Sequence, residues 1–328
     1  MEYVLLISVL VSFLLTVLLM PKWIRICRKI GLLWEDMNKA GHPKNVASSG
    51  GIVVVMAFVL GVLTYIALKT FVFGGTVRAL EIFALLSVIL IFGIAGLVDD
   101  LLGWHNGGLS MKIRLLSAFA ASVPLIVINA GTHLMNVPFL GMINFGIIYP
   151  LIIIPLAIAG VGTTYNFLAG FNGLESGQGI LILGFLSFVA YATGSMWLAV
   201  VGLCMVSALI GFYIFNKVPA KVFPGDSITY AIGALIAGMA ILGNFEKIAL
   251  VVFIPYFIEM GLKLRGGLKK HSFGIPDKKG CLKMPYNKVY GLEHLAIKIL
   301  GKGATEKKVT YLIHAFQILF ILIAFLML

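Results

Sequence analysis

The chain has 328 residues, of which 60% are hydrophobic and only 12% are charged, whereas about a quarter of the residues are charged in soluble domains. This composition excludes an ordinary soluble globular protein. The net charge of +12 does not indicate nucleic acid, because the basic residues lie between apolar segments instead of gathering in one soluble domain. Anionic lipid headgroups, or an anionic substrate at the membrane surface, account for it better.

Apolar segments of roughly 20 residues, the length that crosses a bilayer core of about 30 Å, recur along the chain. The first carries Glu2 and no preceding basic residue, and Pro21-Lys22 stands where a cleavage site would be expected, which predicts a retained span with its N-terminus outside. The fifth and sixth are short, as in segments that line a site within the membrane. We predict an all-α integral membrane protein with about ten transmembrane helices, one polytopic domain over 1–328, and spans at 2–21, 50–69, 80–98, 113–129, 147–160, 179–193, 196–215, 227–243, 247–264 and 309–328.

The distribution of positive charge predicts the orientation of these spans. Of the 25 Lys and Arg residues, 22 fall in the stretches 22–44, 112–114, 217–221 and 263–308. With the N-terminus outside, all four stretches lie on one face, which the positive-inside rule makes cytosolic. The stretch 265–308 is the longest loop on this face, an insertion between the last two spans, and its amphipathic tract near 288–300 is suited to lie on the membrane.

Asp99 and Asp100 directly follow an apolar run. Adjacent carboxylates repel each other unless a cation or a basic group lies between them, and Mg²⁺ is the common oxygen-ligated cation where phosphates are present. The alternative is a solvated helix end, although negative charge at a helix C-terminus opposes the macrodipole.

The segment 166–179 combines two Asn, one Glu, one Gln and several Gly residues between apolar segments. Glycine lets the backbone come close to a ligand and expose N–H groups to phosphate or base edges. A tight interhelical turn would explain one or two such residues, but not so many polar ones.

A third motif, Phe223-Pro224-Gly225-Asp226, precedes the eighth span. Asp226 is either a cation ligand or a helix N-cap. Lys112 and Arg114 begin the span after the Asp99-Asp100 loop, where they either clamp phosphates or anchor the helix at the headgroups. The three cysteines and six histidines show no metal-ligand spacing and no disulfide framework.

Together these motifs resemble the polyprenyl-phosphate N-acetylhexosamine-1-phosphate transferases, in the order Val98-Asp99-Asp100, 166–178 and 223–226, preceded by Asp36-Met37-Asn38-Lys39, Pro43-Lys44 and Gly50-Gly51. The resemblance extends from about residue 31 to about residue 280. The form of the 166–177 segment resembles the eukaryotic and archaeal dolichyl-phosphate GlcNAc-1-phosphotransferase branch more than bacterial MraY. The resemblance implies a fold of ten transmembrane helices with a cytosolic active site.

The resemblance also implies catalytic and metal-binding roles. Asp226 and Asn166 would hold Mg²⁺, or Mn²⁺ in its place, against the pyrophosphate of a UDP-N-acetylhexosamine. Lys112 would contact that pyrophosphate. Asp99 or Asp100 would position the metal or the acceptor, or take the last proton of the acceptor, and the sequence leaves these roles open.

The substrate-binding residues that the resemblance implies are Gly170, Asn172, Glu175, Phe223, Lys39 and His271. Of these, Gly170, Asn172 and Phe223 would receive uracil and ribose, while Glu175 would support the loop. The chain departs from the family pattern at Lys270-His271-Ser272, where the eukaryotic branch has Arg-His-Arg. Arg265, Lys269 or Lys270 would have to replace those guanidinium groups, and Lys does not reproduce bidentate phosphate binding.

The implied reaction is the Mg²⁺-dependent transfer of N-acetylglucosamine-1-phosphate from UDP-GlcNAc to a polyprenyl or dolichyl phosphate, with release of UMP. Another UDP-N-acetylhexosamine remains an alternative donor. An ion-coupled transporter that uses the membrane carboxylates, or a non-enzymatic scaffold, is the alternative class. The membrane would be the archaeal-type cell membrane or the endoplasmic reticulum, and a homodimer is left open.

Overall fold

A computed structural model describes residues 2–75, 77–137 and 141–328, with side chains for all of these except 2–5, 104–106, 136 and 137. Within this part of the chain, twelve α-helices follow one another: α1 Glu2–Ile30, α2 Gly51–Ala67, α3 Ala79–Asn106, α4 Met111–Val127, α5 Ile154–Tyr165, α6 Leu174–Ala192, α7 Met196–Asn216, α8 Asp226–Gly243, α9 Glu246–Val252, α10 Ile254–Arg265, α11 Leu292–Leu300 and α12 Glu306–Phe325. Short π-helical turns extend α2 over Leu68–Val72 and precede α5 over Tyr149–Ile153.

Three small antiparallel hairpins interrupt the helical architecture. They pair β1 (Leu33–Glu35) with β2 (Lys44–Ala47), β3 (Leu134–Val137) with β4 (Gly141–Asn144), and β5 (Ile275–Pro276) with β6 (Leu282–Lys283). All three lie in connections between helices. The all-α prediction is therefore right for the bundle and omits these loop hairpins.

The protein is an integral membrane protein. Among the residues described, seven helices are long and apolar enough to cross a bilayer: Leu6–Ile30, Gly51–Val72, Ala79–Gly103, Leu174–Ala192, Met196–Asn216, Asp226–Gly243 and Glu306–Phe325. The three remaining predicted spans fall on α4, on the shorter apolar stretch Tyr149–Tyr165, and on the pair α9 and α10. The count of ten spans stays a prediction.

Two element boundaries differ from the predicted spans for identifiable reasons. The first helix does not end near residue 21, because Pro21 is accommodated within α1 and the basic residues that follow continue it to Ile30. The span predicted at 247–264 is divided at Phe253 into α9 and α10. Pro255 lies in the first turn of α10, where its missing N–H and fixed φ favour the start of a new helix.

The central helix of the bundle is α8, which is buried along nearly its whole length and packs against α3 and α5. Close approach of α3 depends on Gly96, since a Cβ there would come within 2.5 Å of the Asp226 carbonyl carbon. Small residues allow helix backbones to meet in this way within membranes. This contact brings the acidic end of α3 to the beginning of α8.

The connections at the basic end of the bundle are tied to one another. Phe223 donates its N–H to the Ala47 carbonyl at 2.8 Å, and Gly50 donates to the Phe223 carbonyl at 2.9 Å, so the segment after β2 runs beside the segment before α8. Two of the motifs recognised in the sequence are therefore adjacent in space.

The predicted amphipathic tract forms α11, but its apolar face is turned toward protein. Leu292, Ala296 and Ile297 are buried where α11 packs against α10 and α12. Its neighbours Leu295 and Ile299 remain exposed. The buried face of this tract packs on protein, and a membrane-surface position stays a prediction for the exposed Leu295 and Ile299.

Candidate active site

A cavity of about 760 Å³ opens at the basic end of the bundle, among the connections described above. It brings together eight of the eleven residues predicted for the site, which come from helix ends and loops distant in sequence: Asp100, Asn166, Gly170, Asn172, Glu175, Phe223, Asp226 and His271. The other three, Lys39, Asp99 and Lys112, are not among the residues that line it.

The two adjacent aspartates have different environments. Asp99 is 3% exposed and forms an ion pair with Arg114, with Nε 2.6 Å from Oδ2 and Nη2 3.0 Å from Oδ1. The Leu109 N–H also donates to Oδ1, at 2.7 Å. Asp99 therefore holds the start of α4 against the end of α3 and does not face the cavity.

Asp100 faces the cavity and keeps one carboxylate oxygen free. Its Oδ1 accepts the Asp226 N–H at 2.8 Å, whereas Oδ2 is buried without a hydrogen-bond partner among the residues described. The backbone of Gly225, at φ +75°, passes so close that a Cβ there would collide with this carboxylate. A buried carboxylate oxygen without a partner is costly unless a ligand completes it.

Asp226 lies between α3 and α5. The Asn166 amide Nδ2 donates to Asp226 Oδ1 at 2.9 Å, and Thr229 Oγ1 donates to Asn166 Oδ1 at 3.1 Å. The N-cap position of α8 is Gly225, so Asp226 is a first-turn residue and not the cap. The helix-cap interpretation of this motif is therefore wrong.

The charges in this acidic cluster do not balance. The Asp226 carboxylate is within electrostatic range of Asp99, Asp100 and the Arg114 guanidinium. When all three carboxyl groups are ionised, one guanidinium leaves an excess of negative charge, which a divalent cation would neutralise.

The donor set fits a hard divalent cation. No group of three or more His, Cys, Asp and Glu side chains converges on one point among the residues described. A cation here would therefore be held by two carboxylates, those of Asp100 and Asp226, and by the amide oxygen of Asn166. That oxygen keeps a second lone pair beside its bond to Thr229. Carboxylate and amide oxygens with the remaining positions left to water and phosphate are the usual surroundings of Mg²⁺.

The 166–175 loop is shaped by polar contacts behind the cavity wall. Gly170, at φ +104°, donates its N–H to Glu175 Oε1 at 2.9 Å, and its carbonyl accepts from Asn38 Nδ2 at 2.9 Å. The Asn172 amide Nδ2 donates to Asp36 Oδ2 at 3.0 Å. Glu175 thus lies where a loop-supporting role requires it, and Asn38 and Asp36 are supporting residues that the sequence did not single out for the site.

Lys39 is engaged with protein instead of the cavity. Its ammonium group pairs with Glu306, at the start of α12, and lies 3.8 Å from Asp36 Oδ2. Glu306 in turn accepts the Asn172 N–H at 2.9 Å. Lys39 therefore stabilises the loop that carries Asn172, over a separation of 267 residues from Glu306 that no local pattern reveals.

Lys44, His42 and His271 are among the residues that line the cavity. Lys112 lies exposed in the first turn of α4, away from this lining. Lys44 belongs to the Pro43-Lys44 motif of the sequence, and the fold of the β1–β2 hairpin brings it to the cavity.

Two of the three cations suggested as replacements for the family arginines, Arg265 and Lys270, lie over tyrosine rings. Lys270 Nζ is 4.9 Å from the Tyr286 ring centroid, and the Arg265 guanidinium carbon is 5.9 Å from that of Tyr290. Neither cation lines the cavity, whereas Tyr286 does. Aromatic and apolar side chains make up much of the remaining wall, namely Trp34, Phe171, Phe223, Phe273 and Pro276.

A buried charged cluster supports the loop that carries His271. Lys263 donates to the Ser272 hydroxyl and lies 3.4 Å from Glu259 Oε1. Glu293 and His294 of α11 complete the cluster and are fully buried. Burial, reinforced by the Lys263 charge, lowers the pKa of His294 to about 4, while burial beside Glu259 raises the pKa of Glu293 well above its usual value.

Comparisons with known proteins agree with this architecture. The family description "Glycosyl transferase family 4" matches residues 82–244. A protein of Sulfolobus acidocaldarius, provisionally named UDP-N-acetylglucosamine–dolichyl-phosphate N-acetylglucosaminephosphotransferase, is 35% identical over 97% of this chain and 94% of its own length. A relative with the same name from Saccharolobus solfataricus is 35% identical over 97% of this chain and 95% of its own length. A phospho-N-acetylmuramoyl-pentapeptide-transferase of Halalkalibacterium halodurans is 30% identical over 79% of this chain and 81% of its own length.

The chain therefore belongs to glycosyl transferase family 4, and within it to the polyprenyl-phosphate N-acetylhexosamine-1-phosphate transferases that its motifs resemble. It is a membrane glycosyl-1-phosphate transferase. This assignment replaces the transporter and scaffold alternatives.

Proposed function

We propose that this protein transfers N-acetylglucosamine-1-phosphate from UDP-GlcNAc to dolichyl phosphate or a similar polyprenyl phosphate, with Mg²⁺ bound at the acidic cluster. The observation that carries the proposal is the free Asp100 carboxylate oxygen, buried beside Asp226 and Asn166 in a cavity with aromatic walls. The names of the two archaeal relatives support the choice of donor and acceptor.

Asp100, Asp226 and Asn166 would hold the metal. Mg²⁺, or Mn²⁺ in its place, would offset the charge of the donor pyrophosphate and of the leaving UMP when bound. Asp99 has a different part: through its ion pair with Arg114 it keeps the end of α3 and the start of α4 together. We therefore assign the metal to Asp100 and a positioning role to Asp99.

The remaining cavity residues would bind the two anionic substrates. Lys44 would provide positive charge for phosphate oxygens, and the ring nitrogens of the two cavity histidines would provide further hydrogen-bond donors. Phe223 and the Gly170–Asn172 loop would receive the uridine, and Asn38 fixes that loop by its bond to the Gly170 carbonyl. Holding both reactants in line provides a large part of the rate enhancement in phosphoryl transfer.

The acceptor itself would be the nucleophile. A phosphate monoester has a second pKa of about 6 and is mostly a dianion at pH 7. One of its oxygens forms a bond to the β-phosphorus of the donor while the bond from that phosphorus to the bridging oxygen of UMP breaks. No proton has to be removed from the dianion, so no general base is required. Because the acceptor attacks the donor directly, no covalent enzyme intermediate forms.

The proposal includes an orientation. The cavity lies at the same end of the bundle as the four basic stretches of the sequence, and such stretches remain on the cytosolic side. A cytosolic nucleotide sugar would then reach the cavity directly. The archaeal origin of the Sulfolobus acidocaldarius and Saccharolobus solfataricus relatives supports the cell membrane as the location.

UMP release by the purified protein in detergent tests the proposal, with UDP-GlcNAc, dolichyl phosphate and Mg²⁺ present. Release should require both the lipid phosphate and Mg²⁺, stop with EDTA, and be faster than with UDP-GalNAc. Asp226→Ala and Asn166→Ala should each abolish release, whereas Asp277→Ala, an acidic residue on the same side but outside the cavity lining, should leave it unchanged. Activity that persists in EDTA or in purified Asp226→Ala protein would overturn the metal assignment.

A further inference from the structure

A second, smaller cavity lies beside the candidate active site, between the end of α7, the start of α6 and the first turns of α12. Its volume is about 180 Å³, and its wall consists of Asn172, Tyr213, Lys217, Val218, Lys307, Thr310 and Tyr311. Asn172 lines both cavities. None of the other six residues takes part in the proposed reaction.

The charge of this cavity is positive. Lys217 and Lys307 both line it, and no acidic residue is part of its described wall. The nearest acid in the first turn of α12, Glu306, is occupied by Lys39 and by the Asn172 N–H. The first turn of a helix adds further positive potential, because its backbone N–H groups have no partner within the helix.

An unpartnered buried hydroxyl points to a ligand here. Thr310 is 2% exposed, lines the cavity, and its Oγ1 has no hydrogen-bond partner among the residues that the structure describes. A buried hydroxyl of this kind normally finds an acceptor or a donor. Two ammonium groups line the same volume, which accommodates one phosphate group. Lys307 Nζ lies 5.6 Å from the Tyr311 ring centroid, so this ring holds one of the two cations at the cavity.

The position of the cavity favours a membrane lipid as the source of that phosphate. It lies at the ends of α7 and α12, two helices with the length and apolar character of membrane spans. Ile214 and Tyr311 beside it are exposed on the outer surface of the bundle. Basic pockets between transmembrane helices at the membrane surface are typical sites for anionic headgroups.

We propose that this cavity binds the phosphate group of an anion, from a lipid headgroup or from free phosphate, at a site separate from the substrate cavity. The inference does not rest on the proposed function, because it concerns binding alone. Since Asn172 forms part of both walls, occupancy of the second site would also stabilise the loop that faces the substrates.

Native mass spectrometry of the delipidated full-length protein tests the proposal directly. Phosphatidylglycerol should bind, and phosphatidylcholine with the same acyl chains should bind far less. In parallel, thermal unfolding with inorganic phosphate against chloride at equal ionic strength identifies a free anion as the source. Stabilisation by phosphate with no preference for phosphatidylglycerol would assign the site to a free anion, and no response to either probe would overturn the proposal.

Matched variants connect any binding to this cavity. The pair Lys217→Gln and Lys307→Gln should weaken binding about 30-fold, the loss expected from two lysines near an anionic headgroup. The control pair Lys221→Gln and Lys308→Gln removes the same charge from the same two segments outside the wall and should have little effect. If both double variants lose the same binding affinity, the effect comes from the overall positive charge of the surface, and the site is refuted.

Thr310→Val provides a test that leaves the net charge unchanged. It removes the unpartnered hydroxyl at nearly constant volume, and binding should weaken about fivefold, as expected for one hydrogen bond. If the double lysine variant fails to fold, this variant decides the question, and unchanged affinity in it would contradict the proposal.

Discussion

The contrast between Asp99 and Asp100 gives the sharpest prediction, because neighbouring residues of one type should respond differently to the same substitution. Asp99→Asn removes a carboxylate from a buried ion pair. Breaking such a pair costs about 3–5 kcal/mol when both partners are buried, but the Arg114 side chain is 35% exposed, so water compensates part of the loss. We expect Asp99→Asn to lower the free energy of unfolding by about 1–3 kcal/mol.

Asp100→Asn should instead leave stability unchanged or slightly raised in EDTA. The amide oxygen can still accept the Asp226 N–H that now bonds Oδ1 at 2.8 Å, and one of the repelling charges is gone. The loss falls on metal binding, because the free oxygen Oδ2 is no longer part of a carboxylate. The Mg²⁺ concentration for half-maximal turnover should rise by at least ~10–100-fold, a range already seen when merely supporting residues of metal sites are replaced.

Two assays on the same preparations separate these outcomes. Thermal unfolding in EDTA ranks the variants by stability, and turnover measured across a Mg²⁺ titration ranks them by metal affinity. The reasoning predicts a lower melting temperature for Asp99→Asn and a shifted Mg²⁺ titration for Asp100→Asn. Equal shifts in the Mg²⁺ titration for both variants, or the opposite assignment, would refute the division of roles.

Three further predictions concern the surroundings of the site. Gly225→Ala puts a Cβ against the Asp100 carboxylate at a positive φ and should reduce kcat by about 10²-fold, whereas Gly184→Ala, with open space around its Cβ, should be neutral in the same turnover assay. Asn38→Ala leaves the buried Gly274 N–H and the partly buried Gly170 carbonyl without their partner, and should destabilise the protein by about 1–4 kcal/mol with a higher KM for the nucleotide sugar; an unchanged KM would contradict its supporting role. Because the pKa of His294 is lowered from 6.5 to about 4, the unfolded chain binds the extra proton first, and the His294 contribution to stability should fall as pH decreases from 6.5 toward 4. The neighbouring Glu293, whose pKa is raised, contributes with the opposite sign, so the test is the difference between wild type and His294→Gln: the stability advantage of the wild type should shrink between pH 6.5 and pH 4, and a constant difference would contradict the prediction.

The membrane helices could be predicted from sequence because hydropathy over a span is a strong and local signal. The ends of these helices could not be predicted in the same way, because the basic residues after Pro21 are compatible with a helix and extend α1 to Ile30. The break at Phe253 had a visible cause in Pro255, but a span read by hydropathy alone continues across it.

The site motifs were predictable as a set because each carries polar residues that membrane burial would otherwise exclude. Which long cationic side chain reaches the cavity was not predictable from spacing. Lys112 and Arg114 are two positions apart on α4, yet Arg114 pairs with Asp99 while Lys112 is exposed. Lys39 is directed to Glu306 by a contact that forms only in the folded chain.

The measurement that tests the central claim most directly follows the β-phosphorus of the donor. UDP-GlcNAc with a radioactive phosphorus label at that position would be incubated with the protein, dolichyl phosphate and Mg²⁺, and the lipid and nucleotide fractions would be separated. Transfer of a sugar phosphate predicts that the label appears in the lipid together with GlcNAc, while the released nucleotide is unlabelled UMP. Label leaving as UDP would show transfer of the sugar alone and would contradict the account.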